Sequence, residues 1–226
     1  MGEAISAILP QAVGAAISPI PIIAVILMLF TPKARVNAPL FAVGWALGLV
    51  VVAGIAYLAG EGADAATDED ASNGAFALKA VLGVLLLLLA LRQWRSRPKS
   101  GDPPAPPPKW MQGIDQFTPV KSFGLAVLLA GPNPKNLLLS IAAGTTIAQL
   151  GATGADAWVA ILVYALLGTV TVGGPVLYYF AAGKQAEEHL NELKGWLSAN
   201  NATVMAVLFV IFGISLLSDG LSGLFA

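Results

Sequence analysis

Lys135 is the residue of this chain best placed to do chemistry. It lies near the middle of the apolar stretch 122–149, within Gly131-Pro132-Asn133-Pro134-Lys135-Asn136. An ammonium flanked by the carboxamides of Asn133 and Asn136 offers hydrogen-bond donors to an anionic or hydroxyl-rich group. A charge at membrane depth is costly and points to function by default. The matching polar group is Ser18, in Ser18-Pro19-Ile20-Pro21, inside the uncharged run 5–30. Each proline removes a backbone donor and clashes with the preceding turn, so both Pro-Xaa-Pro segments predict a broken helix. In hydrocarbon, backbone groups freed in this way persist only inside protein or beside a water-filled cavity. Two interrupted helices in corresponding halves of a chain mark the binding site of a carrier. The expected substrate-binding set is therefore Ser18, Pro19, Pro21, Asn133, Pro134, Lys135 and Asn136, with Thr145, Thr146, Thr169 and Thr171 lining a path. The apolar stretches offer no deep Asp or Glu to pair with Lys135. Its partners are freed carbonyls, water or an anionic group, and Lys135→Ala is expected to leave the fold tolerable.

Catalysis finds little support. The chain has no cysteine, and its single histidine, His189, falls in a polar segment. Without buried paired carboxylates there is no nucleophile–base constellation, and no Walker-type phosphate loop is present. No catalytic residue, metal ligand or cofactor is expected, and nothing in the charge pattern suggests nucleic acid. The acidic segment 61–73 contains Asp68-Glu69-Asp70 but not the ordered spacing of a calcium loop, so it reads as a solvated outer loop.

The elements that must position these residues follow from composition. The 226 residues are 57% hydrophobic and 11% charged, with mean hydropathy +0.77, whereas a soluble domain carries roughly 25% charged residues. A spanning helix needs about 20 apolar residues, and six stretches qualify: 5–30, 36–60, 73–91, 122–149, 157–183 and 197–218. Lys79, near the start of the third, is expected to snorkel to the interface. Loops one, three and five hold Lys33 and Arg35; Arg92, Arg95, Arg97, Lys99, Lys109 and Lys121; and Lys184 and Lys194, together ten of the 12 basic residues. By the positive-inside rule these loops are cytoplasmic and both termini lie outside. The expected fold is all-α: a polytopic membrane protein of six helices, with helices one and four broken. Its parts are a three-helix repeat at 1–91, a cytoplasmic Pro-rich linker at 92–121 and a second three-helix repeat at 122–226. The second repeat starts on the opposite side, so the repeats are inverted. Gly44-Trp45-Ala46-Leu47-Gly48 and Tyr164-Ala165-Leu166-Leu167-Gly168 correspond weakly in the second helices.

Pro103-Pro104-Ala105-Pro106-Pro107-Pro108 favours an extended polyproline spacer, and Trp94 and Trp110 suit interfacial anchoring. Residues 184–196 carry Ala186, Leu190, Leu193 and Leu197 at helical spacing, predicting a short amphipathic helix along the interface, with His189 solvated. Gly44-Xaa-Xaa-Xaa-Gly48 is a small-residue packing motif that serves either the chain's interior or a homodimer.

At Asn133-Pro134-Lys135 the chain resembles the lysine-exporter (LysE) superfamily, whose first half also carries a proline pair, here Pro19 and Pro21. The Pro-rich linker and the Gly131–Asn136 motif resemble its GAP branch, the peptidoglycolipid- or sulfolipid-addressing proteins of actinobacteria. Ser18-Pro19-Ile20-Pro21 departs from the Pro-Gly-Pro of amino-acid exporters. The resemblance covers all six stretches. It implies a multi-pass protein of the cytoplasmic membrane that exports a cell-envelope glycolipid or assists a larger lipid exporter. The headgroup would meet Lys135, Asn133 and Asn136 while the acyl chains stay in lipid. The alternatives are export of a small solute such as an amino acid or ion, and a non-transporting scaffold for envelope-lipid machinery.

Overall fold

The computed structural model describes residues 2–64, 70–97 and 109–225, and every regular element among them is helical. The first stretch forms two helices, α1 (Gly2–Ala16) and α2 (Pro19–Leu29), bent by 56°. Then come α3 (Ala34–Asp64) and α4 (Asp70–Arg95). A 3-10 helix at Lys109–Gln116 leads into α5 (Pro119–Ala130) and α6 (Pro134–Gln149), bent by 67°. Finally α7 covers Gly154–Ala182 and α8 covers Lys184–Leu224.

Single prolines do not break these helices. Pro10, Pro39 and Pro175 all lie inside continuous ones. The two breaks fall where prolines stand two apart and remove alternate donors within one turn. Four helices are each long and apolar enough to cross a membrane, and the two bent pairs bring the number of candidate spans to as many as six.

Helix α3 packs against both members of the second bent pair and against α7, while α1 lies on α7 and α6. These helices, with α2, bury the larger core, which includes Phe41, Trp45 and Tyr164, each with no exposed surface. A smaller core joins α4, α6 and α8 through Leu86, Leu139, Phe209 and Phe212. The α4–α8 contact depends on small residues: a Cβ on Gly83 would lie 2.5 Å from Leu217 N and 2.8 Å from Gly213 O. The Gly44 and Gly48 motif is used inside the chain, facing Phe123, Ala126 and Ala130 of α5.

Three sequence expectations need correction. The amphipathic segment 184–196 is not a separate interfacial helix but the first part of the 41-residue α8. No proline or left-handed glycine interrupts residues 184–224, so nothing ends the helix where its polarity changes. Its apolar face is as expected at Ala186, Leu190 and Leu197, which are buried, but Leu193 is exposed. The linker 92–121 is folded at its C-terminal end. There Met111 and Ile114 enter the core, Asn37 Nδ2 donates to Phe117 O at 2.9 Å, and Thr118 caps α5. Lys79 is buried rather than snorkelling, with Nζ 5.8 Å from the Phe76 ring centroid. The polyproline run and Asp68-Glu69 lie outside the described residues, as does the Trp110 side chain; Trp94 is about half exposed.

Candidate functional site

The prolines dictate which carbonyls of α1 are released. Pro19 has no N–H for Ala15 O, and Pro21 has none for Ile17 O. Ser18 N turns aside to Ala16 O at 2.8 Å, which also releases Gly14 O. A helix C-terminus of this kind carries unsatisfied carbonyls and a partial negative charge.

Lys135 fills that position. Its Nζ donates to Gly14 O at 2.6 Å, to Ile17 O at 2.8 Å and to Ser18 Oγ at 2.6 Å. An ammonium has three protons, and all three are engaged. Ser18 Oγ donates to Ala15 O at 2.7 Å, with Asn136 Oδ1 3.3 Å away. Thr171 of α7 donates its hydroxyl to Ala16 O. Every carbonyl that the first break releases therefore has a side-chain donor, and two of the three donor residues come from the second half of the chain.

The second break is built differently. Asn133 caps α6, its Oδ1 accepting from Lys135 N at 3.1 Å, and Gly131 N closes α5 on Val127 O at 2.8 Å. Asn136 Nδ2 donates to Leu129 O at 3.2 Å, replacing a donor that the interrupted α5 lacks. Lys135 and Asn136 are fully enclosed, with 1% and 0% of their surface exposed.

The two breaks thus meet, bringing together the C-termini of α1 and α5 and the N-termini of α2 and α6. Helix N-termini carry partial positive charge and suit anions. A cavity of about 20 Å³ lies between them, lined by Ser18, Pro19, Ile20, Pro21, Asn133, Lys135, Asn201 and Met205. That is room for about one water molecule. Six of the seven expected site residues gather around this cavity. Pro19 and Pro21 shape the cavity wall, Ser18, Asn133 and Lys135 provide polar atoms, and Asn136 buttresses from behind. Pro134 opens α6 as its first residue.

Sequence reasoning missed Asn201. It reaches the cavity from α8, and its buried Oδ1 has no hydrogen-bond partner among the described residues. The only hint was an amide pair, Asn200-Asn201, bordering an apolar stretch. The expected threonine path is not formed: Thr145 and Thr169 donate to carbonyls of their own helices, and of the four only Thr171 bonds to the break. Thr146 is buried in α6. His189 is exposed as expected, though it stacks on Tyr178 with Nδ1 2.6 Å from the phenol oxygen.

The SfLAP family model, described as Sap, sulfolipid-1-addressing protein, matches residues 8–222. No curated protein and no solved structure matches the chain.

Proposed function

From a chain that belongs to the SfLAP family of membrane proteins associated with sulfolipid addressing, we propose an exporter of a cell-envelope glycolipid, acting alone or with a larger lipid exporter. The observation that carries this reading is the buried Lys135, which ties one helix break to the other beside a cavity whose Asn201 Oδ1 has no partner among the described residues.

In this reading the arrangement is the closed state. A cavity of about 20 Å³ cannot hold a headgroup, so loading requires the breaks to part. A sulfate or similar anion then takes over donors that Lys135 now gives to Gly14 O and Ile17 O, while the N-termini of α2 and α6 add favourable potential. Asn201 Oδ1 accepts from a headgroup hydroxyl. The exchange of carbonyl partners for anionic ones is the differential interaction that biases the two states.

Each bent pair is read as one span. Helix α1 extends about 23 Å, α2 about 17 Å, α5 about 18 Å and α6 about 24 Å, at 1.5 Å per residue. None alone crosses a hydrocarbon core of about 30 Å, whereas each pair, sharing its bend equally, still extends roughly 35 Å along the normal. Six spans with an inverted three-plus-three arrangement follow, with the basic loops in the cytoplasm. The pairing of Trp45 Nε1 with Gly168 O at 3.0 Å, between the two weakly corresponding segments, supports that symmetry.

The test is surface lipidomics of a deletion strain complemented with well-expressed variants. Wild type should restore the surface glycolipid, Lys135→Ala should not, and Lys135→Arg should restore part. Full restoration by Lys135→Ala would remove the site. Transport by the purified protein in liposomes separates a carrier from a scaffold.

A further inference from the structure

We propose that the outer groove between α4 and α8 is a binding site for an anionic phospholipid of the leaflet that borders the basic loops. It is separate from the paired breaks and independent of which lipid is exported. The glycine contacts at Gly83, Gly213 and Gly220 hold α4 and α8 tightly together toward one end. Toward the other end the helices leave a groove of about 380 Å³, lined by Leu87, Leu91 and Trp94 of α4 and Ala206, Val207 and Val210 of α8, with almost no polar surface. Leu91, Trp94, Val207 and Val210 are between 42% and 48% exposed, so the groove opens sideways to the surroundings. In a membrane span that opening faces acyl chains.

Charge selects the headgroup. One turn beyond Leu91 on the same face stands Arg95, exposed at the end of α4. The Arg97 guanidinium lies over the Trp94 ring, 3.4 Å from its centroid, and donates to Trp94 O at 3.1 Å. No ion pair engages Arg92, Arg95 or Arg97 among the described residues, and Arg92 is also exposed. An indole at the interface followed by two or three unpaired guanidiniums matches a lipid with its chain in the groove and its phosphate at the helix end. Arginine is the side chain suited to bidentate phosphate binding, and basic pockets between spans on this side of a membrane hold anionic headgroups. A second copy of the chain would have to place acidic groups against this cluster, and residues 206–211 of an identical α8 carry none.

The experiment uses full-length protein in nanodiscs of phosphatidylcholine with a minor share of phosphatidylglycerol of matched chains, followed by mass spectrometry of the lipid retained after detergent extraction. Wild type should retain phosphatidylglycerol over phosphatidylcholine by about tenfold relative to the bulk ratio, somewhat less than two guanidiniums at the surface provide. Arg95→Gln/Arg97→Gln should bring that ratio to about unity, and raised salt should lower it. Val207→Trp, at a half-exposed position lining the groove, should abolish retention of either lipid. Both variants must keep the wild-type melting temperature in a neutral-lipid disc, because neither change enters the core. Equal retention of the two lipids by wild type, or an unchanged preference in Arg95→Gln/Arg97→Gln, overturns the proposal. So does a Val210→Cys cross-link that forms in high yield between two copies, since the groove is then a dimer contact.

Discussion

At the residue scale the chain is organised around one ammonium. Because nothing acidic pairs with Lys135 in the sequence, its removal looked harmless to the fold. The structure reverses that expectation, since Nζ is the hydrogen-bond donor to Gly14 O and Ile17 O. Leaving a buried acceptor unpaired costs about 1–3 kcal/mol. Lys135→Ala should therefore lower stability by roughly 2–4 kcal/mol, read as a melting shift in detergent. Lys135→Arg should recover part of the loss, because it keeps the charge but presents a planar fork in place of a compact ammonium. Ser18→Ala removes the third partner and the donor to Ala15 O. Its cost should be about 1–2 kcal/mol, and the double variant should fall short of the sum because the two side chains share one network. Additive costs would show that the two side chains do not act together. Asn201→Leu tests the missed residue. It removes an acceptor that has no partner among the described residues, so stability should hold or rise while surface-lipid restoration falls. Undiminished restoration would exclude Asn201 from headgroup binding.

At the scale of elements, the breaks and the close crossing make separate predictions. Pro19→Ala/Pro21→Ala returns donors to Ala15 O and Ile17 O, positions now served by Ser18 and Lys135. The bend of 56° between α1 and α2 should shrink, seen as a longer distance between spin labels at the outer ends of the two helices. An unchanged distance would mean that packing, not the missing donors, sets the bend. Gly83→Val puts atoms where Leu217 N and Gly213 O already stand. Overpacking of this kind costs typically 1–3 kcal/mol, and the substitution should separate α4 from α8, weakening the smaller core before the larger one.

At the scale of the whole molecule the prediction is topological. Asp68→Cys should react with an impermeant reagent applied to intact cells, and Ser100→Cys should react only after permeabilisation, if the basic loops follow the positive-inside rule. Labelling of Ser100→Cys from outside would invert the arrangement. Helix α8 shows why a whole-molecule view is needed. Its 41 residues extend about 62 Å, twice the hydrocarbon thickness, more than one membrane span needs. In its polar first part Lys194 Nζ lies 5.6 Å from the Phe30 ring centroid, joining the end of α2 to α8.

Much of this was legible in the sequence, for local reasons. Proline's missing donor is a property of the residue, so the breaks at Pro19–Pro21 and Pro132–Pro134 could be read directly, as could the apolar stretches and the isolation of Lys135 from acidic groups. What is not local was decided by tertiary structure. Which acceptors Lys135 takes depends on α1 and α6 crossing at their ends, more than a hundred residues apart in the chain. Asn201 becomes part of the cavity only because α8 passes the two breaks, and Gly44 and Gly48 serve the interior only because α5 lies against them. The fate of residues 184–196 turned on the same distinction. Hydrophobic periodicity reports which face is buried, and it did so correctly at Ala186 and Leu190. Where a helix ends depends on whether anything stops it, and a change from polar to apolar residues stops nothing.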